Sequence, residues 1–205
     1  MYNPASFHET RPEVLAAAIA GHPLATLVTA GAGGLAASHI PLLYAPTEGG
    51  AGVLRGHMAR ANAHWRDAVP PCAALAIFSG PRHYVSPTWY PSKEVDGKVV
   101  PTWNYVVVHV HGTLAIHDDP RWLLENVTAL TDQHEASNPA PWHVSDAPPD
   151  YIQNLLKAIV GVELTITRWE GKWKLSQNRP QPDREAVAAH LTALSTPPPI
   201  NSQRS

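Results

Sequence analysis

Apolar and polar positions alternate most regularly over residues 105–116. Val108, Val110, Leu114 and Ile116 share one face there, and His109, His111 and Thr113 share the other. A repeat of two is that of a half-buried strand, and Gly112 predicts a bulge or bend within it. Shorter strand patterns cover residues 24–29, 35–44, 52–56, 73–78, 99–100, 160–169 and 172–175, with a turn expected at Glu170-Gly171. The glycines at 31, 33 and 34 read as a hairpin and not as a dinucleotide fingerprint, because a strand and not a helix follows them. Pro41 puts that second strand at an edge or a bulge.

Helical patterns fall between these strands. Thr10-Arg11-Pro12-Glu13 has the spacing of a capping box and predicts a helix to about residue 20, ended by Gly21. Further helices are predicted at 61–68, at 121–134 behind the acids Asp118 and Asp119, at 149–158 and at 183–193. Strands interrupted by short helices, with neither repeat nor linker, predict a mainly β chain with peripheral helices (α+β), built as a β-barrel. The expected organisation is one domain over 1–195 with appended helices, followed by a disordered tail at 196–205.

Charge and composition narrow the function. The 205 residues carry 15 Lys+Arg against 17 Asp+Glu, a net charge of -2, so no sequence-wide basic field gathers nucleic acid or an anionic membrane. Cys72 is the lone cysteine, which excludes an intrachain disulfide and a cysteine-based zinc site. The N-terminal residues lack a basic end and apolar run, and no stretch has the length to span a bilayer, so a cytoplasmic protein is expected. His-Glu-x-x-His, phosphate-loop and Gly-x-Ser-x-Gly motifs are all absent, leaving hydrolase readings without support.

Four clusters carry candidate chemistry. Residues 56–65 hold His57, Arg60 and Asn62 where a strand gives way to a helix, a place suited to phosphate; an ordinary helix start capped by Asn62 fits equally well. Ser38 and His39 could donate to phosphate or to a flavin carbonyl, or His39 could be a self-satisfied edge residue. In the blocks 80–91 and 100–105, Trp89, Tyr90, Trp103 and Tyr105 offer rings and Asn104 an amide, as a planar heteroatom-rich ligand needs; the bland alternative is a loop whose rings plug a local core. Lys174, Gln177 and Arg179 could close over an anion or heterocycle, or belong to a solvated strand end. His109-x-His111 supplies two imidazoles but no third ligand by local spacing, so no protein-bound metal is expected.

At these residues the chain resembles the PaiB-type FMN-binding family of negative transcriptional regulators, within the pyridoxamine-phosphate-oxidase-like split barrels. The resemblance is carried by Met1-Tyr2-Asn3-Pro4, Ser38-His39-Ile40-Pro41, Gly56-His57-Met58-Ala59-Arg60-Ala61-Asn62, Tyr84-Val85-Ser86-Pro87-Thr88-Trp89-Tyr90, Val100-Pro101-Thr102-Trp103-Asn104-Tyr105 and Lys174-Leu175-Ser176-Gln177-Asn178. It implies an FMN-binding split β-barrel that forms a homodimer, with FMN in clefts between the subunits. It also implies phosphate contacts from Ser38, His39, His57, Arg60 and Asn62, with Lys174 and Gln177 near the cofactor and Trp89, Tyr90, Trp103 and Asn104 near its ring. Arg82-His83 and Val110-His111-Gly112 depart from the family pattern and bear on the ring pocket.

The functions this implies are redox chemistry on a small molecule or a regulatory role. The alternatives are a non-enzymatic regulatory module with a vacant or altered site, or a haem or tetrapyrrole binder using His83, His109 or His111. Catalytic residues stay unassigned. Direct DNA binding is not expected, because the chain has no segment with a helix, tight turn and basic recognition helix.

Overall fold

The computed structural model describes residues 1–195, and the tail expected at 196–205 lies outside them. The strands are β1 (His8–Glu9), β2 (Leu24–Gly31), β3 (Gly34–Pro41), β4 (Leu43–Ala45), β5 (Val53–Ala59), β6 (Cys72–Val85), β7 (Thr102–His117) and β8 (Ile159–Lys174). The helices are α1 (Pro12–Gly21), α2 (His64–Asp67), α3 (Lys93–Asp96), α4 (Pro120–Glu135), α5 (Pro149–Leu156) and α6 (Gln181–Ser195). The sheet runs β3-β2-β6-β7-β8-β5-β4, with β1 paired to β8. The chain divides into two compact units, the first of Met1, Glu9–Gly80 and Val107–Gly171, the second of Tyr2–His8, Pro81–Val106 and the residues from Lys172 on.

In the first unit β2 and β3 form the predicted hairpin, in register from Leu24↔Pro41 to Gly31↔Gly34. Period two then sorts the side chains: Ala25, Leu27 and Thr29 are buried, and their partners Ile40, Ser38 and Ala36 share that inner face. Beyond Pro41 the strand pattern predicted to 44 splits. Pro41 cannot donate to a ladder, and after Leu42 the chain re-enters the sheet as β4, at the opposite end of the order from β3. Gly56 on β5 makes room for this corner, since a Cβ there would stand 2.6 Å from the Pro41 carbonyl oxygen. The sheet therefore curls until its two ends meet at Leu42, with no ladder joining them: mainly antiparallel β, rolled but split, with peripheral helices.

Leu27, Leu54, Phe78, Val108, Val110, Leu114 and Leu164 fill this curl, each at most 1% exposed. Outside it, α4 turns Leu123, Asn126 and Leu130 inward at helical spacing. Asp119 caps α4, its carboxylate accepting the Trp122 amide at 2.8 Å. The Trp122 ring lies where a side chain on Gly161 of β8 would be, 2.2 Å from a Cβ built there. In the second unit Val85, Tyr90 and Val187 form a small core against which Trp89, Val99 and Leu191 pack.

Four expectations change. The capping box does not form: Arg11 holds the cap position, and the Glu9 carboxylate takes the amides of Thr10 and Arg11 at 3.0 and 2.9 Å. The Arg11 guanidinium first, and then those backbone bonds, hold the Glu9 pKa down at about 2. Val99 and Val100 are not a strand; they follow Gly97, whose φ of 67° turns the chain, and Val99 joins the small core. β7 runs unbroken through Gly112, whose missing side chain admits the Thr165 carbonyl of β8. β8 likewise runs through Glu170-Gly171, because the Glu170 carboxylate is held in the strand by Arg168 and by the Met1 ammonium group.

Candidate functional site

The junction of β5 and α2 brings together four polar residues of the first unit from three parts of the chain, Asn62 and His64 at the junction, Ser38 on β3 and Thr29 on β2. Asn62 accepts the His64 amide on its Oδ1 at 3.0 Å and points its Nδ2 at Ser38 Oγ, 3.1 Å away. Ser38 Oγ is also 2.8 Å from His64 Nδ1, and His64 Nε2 is 2.8 Å from Thr29 Oγ1. His64 is 5% exposed and Thr29 2%. Burial lowers the His64 pKa, with Asp67 pulling weakly the other way, so the ring is neutral at pH 7. Neither His64 nor Thr29 stood out in the sequence. His64 reads there as one histidine of twelve, and only the fold shows that it sits between two hydroxyls.

The remaining phosphate candidates are placed differently. His39 is exposed on the outer face of the edge strand β3, opposite Thr26 of β2. Arg60 is engaged: its guanidinium grips Asp118 with both terminal nitrogens, and also donates to the carbonyls of Lys157 at 2.8 Å and Ile159 at 2.9 Å. Each member of the pair shifts the other, Arg60 up and Asp118 down. Arg60 nonetheless borders a cavity of about 470 Å³ with two more cations, Arg121 and Lys157, on its wall. His57 faces a helix-lined cavity of about 330 Å³ with Val127, Trp142 and Ile152; its Nδ1 is buried without a partner among the described residues, and burial lowers its pKa.

In the second unit the C-terminal end of β8 meets the start of β7. Lys174 donates to the Trp103 carbonyl at 2.6 Å and to the Thr102 hydroxyl. Lys172 and Lys174 both lie over the Tyr105 ring, at 5.4 and 6.0 Å. Burial lowers the Lys174 pKa, Tyr105 partly opposing and Lys172 and Arg179 adding repulsion. Asn104 is 3% exposed and accepts the Ser176 hydroxyl at 3.0 Å. Gln177 ties the segment down through the Ser6 and Trp173 carbonyls and the Leu175 amide. Trp103 remains 54% exposed with its edge toward Tyr84, itself 48% exposed, so this pair offers ring surface to a ligand. Trp89 instead stacks on His190 at 4.9 Å, and Tyr90 is buried beneath Arg179.

His109 and His111 face outward from β7 with ring centroids 6.5 Å apart. Both pKa values are lowered, chiefly by burial. Among the described residues no three His, Cys, Asp or Glu side chains group closely enough to share a metal ion, and no helix is long and apolar enough to cross a membrane.

A family model described as "Putative FMN-binding domain" matches residues 1–168. The chain belongs to this FMN-binding family. A Bacillus subtilis (strain 168) relative of the PaiB type, "Protease synthase and sporulation protein PAI 2", is 30% identical over 199 residues, covering 96% of this chain and 92% of that one. An uncharacterized protein of Emericella nidulans is 37% identical over 231 residues, with the same coverage of 96% and 92%. Among solved structures, the flavocytochrome Anf3 of Azotobacter vinelandii aligns with a TM-score of 0.57 at 15% identity, over 82% of this chain and 69% of that one. The FAD and heme binding protein of Mycobacterium smegmatis aligns with a TM-score of 0.57 at 18% identity, over 89% and 79%. At such identities these two show the fold alone, the split barrel. FMN is the cofactor that membership of the family assigns to this chain, ahead of haem. The chemistry present fits it: in the first unit Ser38 and Asn62 suit a phosphate, and in the second unit the exposed Trp103–Tyr84 pair suits a flat ring.

Proposed function

We propose that the protein binds FMN non-covalently as a homodimer and uses it in redox chemistry, or redox sensing, on a small molecule. The observation that carries the reading is the ordered Asn62–Ser38–His64–Thr29 chain at the β5–α2 junction. It holds two polar groups ready for an anion in a family that binds a flavin phosphate. Ser38 and Asn62, with Arg60 from the same junction, take the phosphate; His39 lies on the opposite face of β3 and does not join them. Trp103 and Lys174 serve the ring, while Asn104 and Gln177 fix the backbone that carries them. Bound FMN supplies the electron transfer itself, and the protein's task is to bind, orient and shield it.

Arg60 enters this scheme by exchange, giving up Asp118 for phosphate. Arg60→Ala therefore weakens FMN about ten- to a hundredfold, the worth of a charge-assisted contact. Asp118→Asn tightens it, by freeing the guanidinium. Riboflavin, which has no phosphate, is insensitive to both changes. Fluorescence titration of the purified protein with FMN and with riboflavin checks all of this, and absence of FMN binding at about millimolar concentration overturns the reading.

The dimer is supported by the outer face of β3-β2-β6. Leu35 and Leu24 are 82% and 63% exposed there, next to Ala37, Val28 and, across the register, Leu75 and Ile77. Three adjacent strands presenting apolar side chains outward form a surface that a second copy can cover. Any effect on transcription would run through flavin state or a bound small molecule, not through DNA contact.

A further inference from the structure

The hydrogen bonds around His64 can be satisfied in one way, and that way determines what Ser38 can do. Asn62 is oriented first: its Oδ1 accepts the His64 backbone N–H at 3.0 Å, so the atom facing Ser38 is the amide nitrogen, a donor. One lone pair of Ser38 Oγ is therefore taken. Thr29 comes next. It is 2% exposed, and among the described residues its hydroxyl has one partner, His64 Nε2 at 2.8 Å. A buried hydroxyl proton left without an acceptor is costly, so Thr29 donates and Nε2 accepts. Since the ring is neutral, its single proton must sit on Nδ1, directed at Ser38 Oγ 2.8 Å away. Ser38 then receives two hydrogen bonds, from Asn62 and from His64. Its own O–H has no acceptor left in the cluster.

We infer that His64 is a positioning residue: held in its Nδ1–H tautomer by Thr29, it turns the Ser38 hydroxyl into an obligate outward donor for an anionic oxygen, the phosphate of FMN. This rests on the reading of Ser38 as a phosphate contact and deepens it. The opposite tautomer would have Ser38 give its proton to His64 and present only lone pairs to the ligand, which repel an anion. Thr29, on the neighbouring strand and out of ligand reach, thus selects the charge type that Ser38 binds.

The tautomer is read directly by nitrogen-15 NMR of the ligand-free protein. The expected spectrum has a protonated Nδ1 and an unprotonated Nε2 for His64; the reverse assignment overturns the inference, whatever the cofactor does. Binding is read by titration with FMN and with riboflavin. Ser38→Ala and His64→Leu should each weaken FMN about tenfold and leave riboflavin unchanged, and the double variant should be no weaker than either single one. His64→Asn, whose amide nitrogen can stand where Nδ1 does, should restore most of the affinity. Additive losses, or an Asn variant as weak as the Leu variant, overturn the role of His64 while leaving Ser38 as a contact. An unchanged FMN affinity in Ser38→Ala overturns both the role and the reading beneath it.

Discussion

Tyr90 shows how burial changes the meaning of a residue. In sequence it belongs to an aromatic block suited to a flavin, but in the fold it is 2% exposed, packed with Val85 and Val187, and its hydroxyl has no partner among the described residues. Removing an unsatisfied buried hydroxyl relieves a desolvation cost, so Tyr90→Phe should hold or raise stability by up to about 1 kcal/mol; the midpoint of a urea titration measures it. A fall would mean that the hydroxyl has a partner in solution. Side-chain chemistry at the candidate site was legible in Ser38, Asn62 and Trp103, because hydroxyl, amide and exposed indole advertise themselves by type. The engagement of Arg60 with Asp118 was not, since 58 residues separate them in the chain. His64 was missed for the same reason: its partners come from β2 and β3, and only the hairpin register brings them to it.

At the scale of elements the alternation of apolar and polar positions located the strands well, and failed where tertiary contact overrides local signals. Glu170-Gly171 and Gly112 look like breaks, yet both lie inside continuous strands: Gly112 admits the Thr165 carbonyl, and Glu170 is held by Arg168 and the Met1 ammonium group. Gly112→Ala tests this: its Cβ would be 2.2 Å from the Thr165 carbonyl oxygen, a backbone atom, so a loss of about 1–3 kcal/mol is expected in chemical denaturation. α4 contains the opposite case. Asn126 is 4% exposed, and neither of its side-chain polar atoms has a partner among the described residues. Asn126→Leu, similar in volume and apolar, should raise the urea midpoint. The split of the second predicted strand at Leu42 was half visible, because Pro41 marked an edge, but nothing local says that the next strand joins the far end of the sheet.

The whole molecule should lose stability in acid. His57, His64, His109 and His111 all have folded-state pKa values below the ordinary 6.5, chiefly through burial. The unfolded chain therefore binds more protons than the folded one as pH falls through 6.5, and stability drops from there until the lowered folded-state values are passed. The depressed carboxylates Glu9 and Asp118 act in the same sense at lower pH. Urea midpoints should be level above pH 7 and decline below about 6.5; a rise on acidification would contradict the burial of these rings. Assembly is tested at the same scale: Val28→Glu, on the outer face of β2, should convert a sedimenting dimer to monomer and reduce FMN affinity with it.

The passage through Leu42 has a mechanical consequence. Strands at opposite margins of the rolled sheet are consecutive in the chain, so this residue works as a stitch across an otherwise unsewn seam. A break in the backbone there would leave every ladder its partners, yet release the tether that keeps the cylinder wound. A chain so opened would keep its strands and lose the curvature that sets Ser38 beside His64.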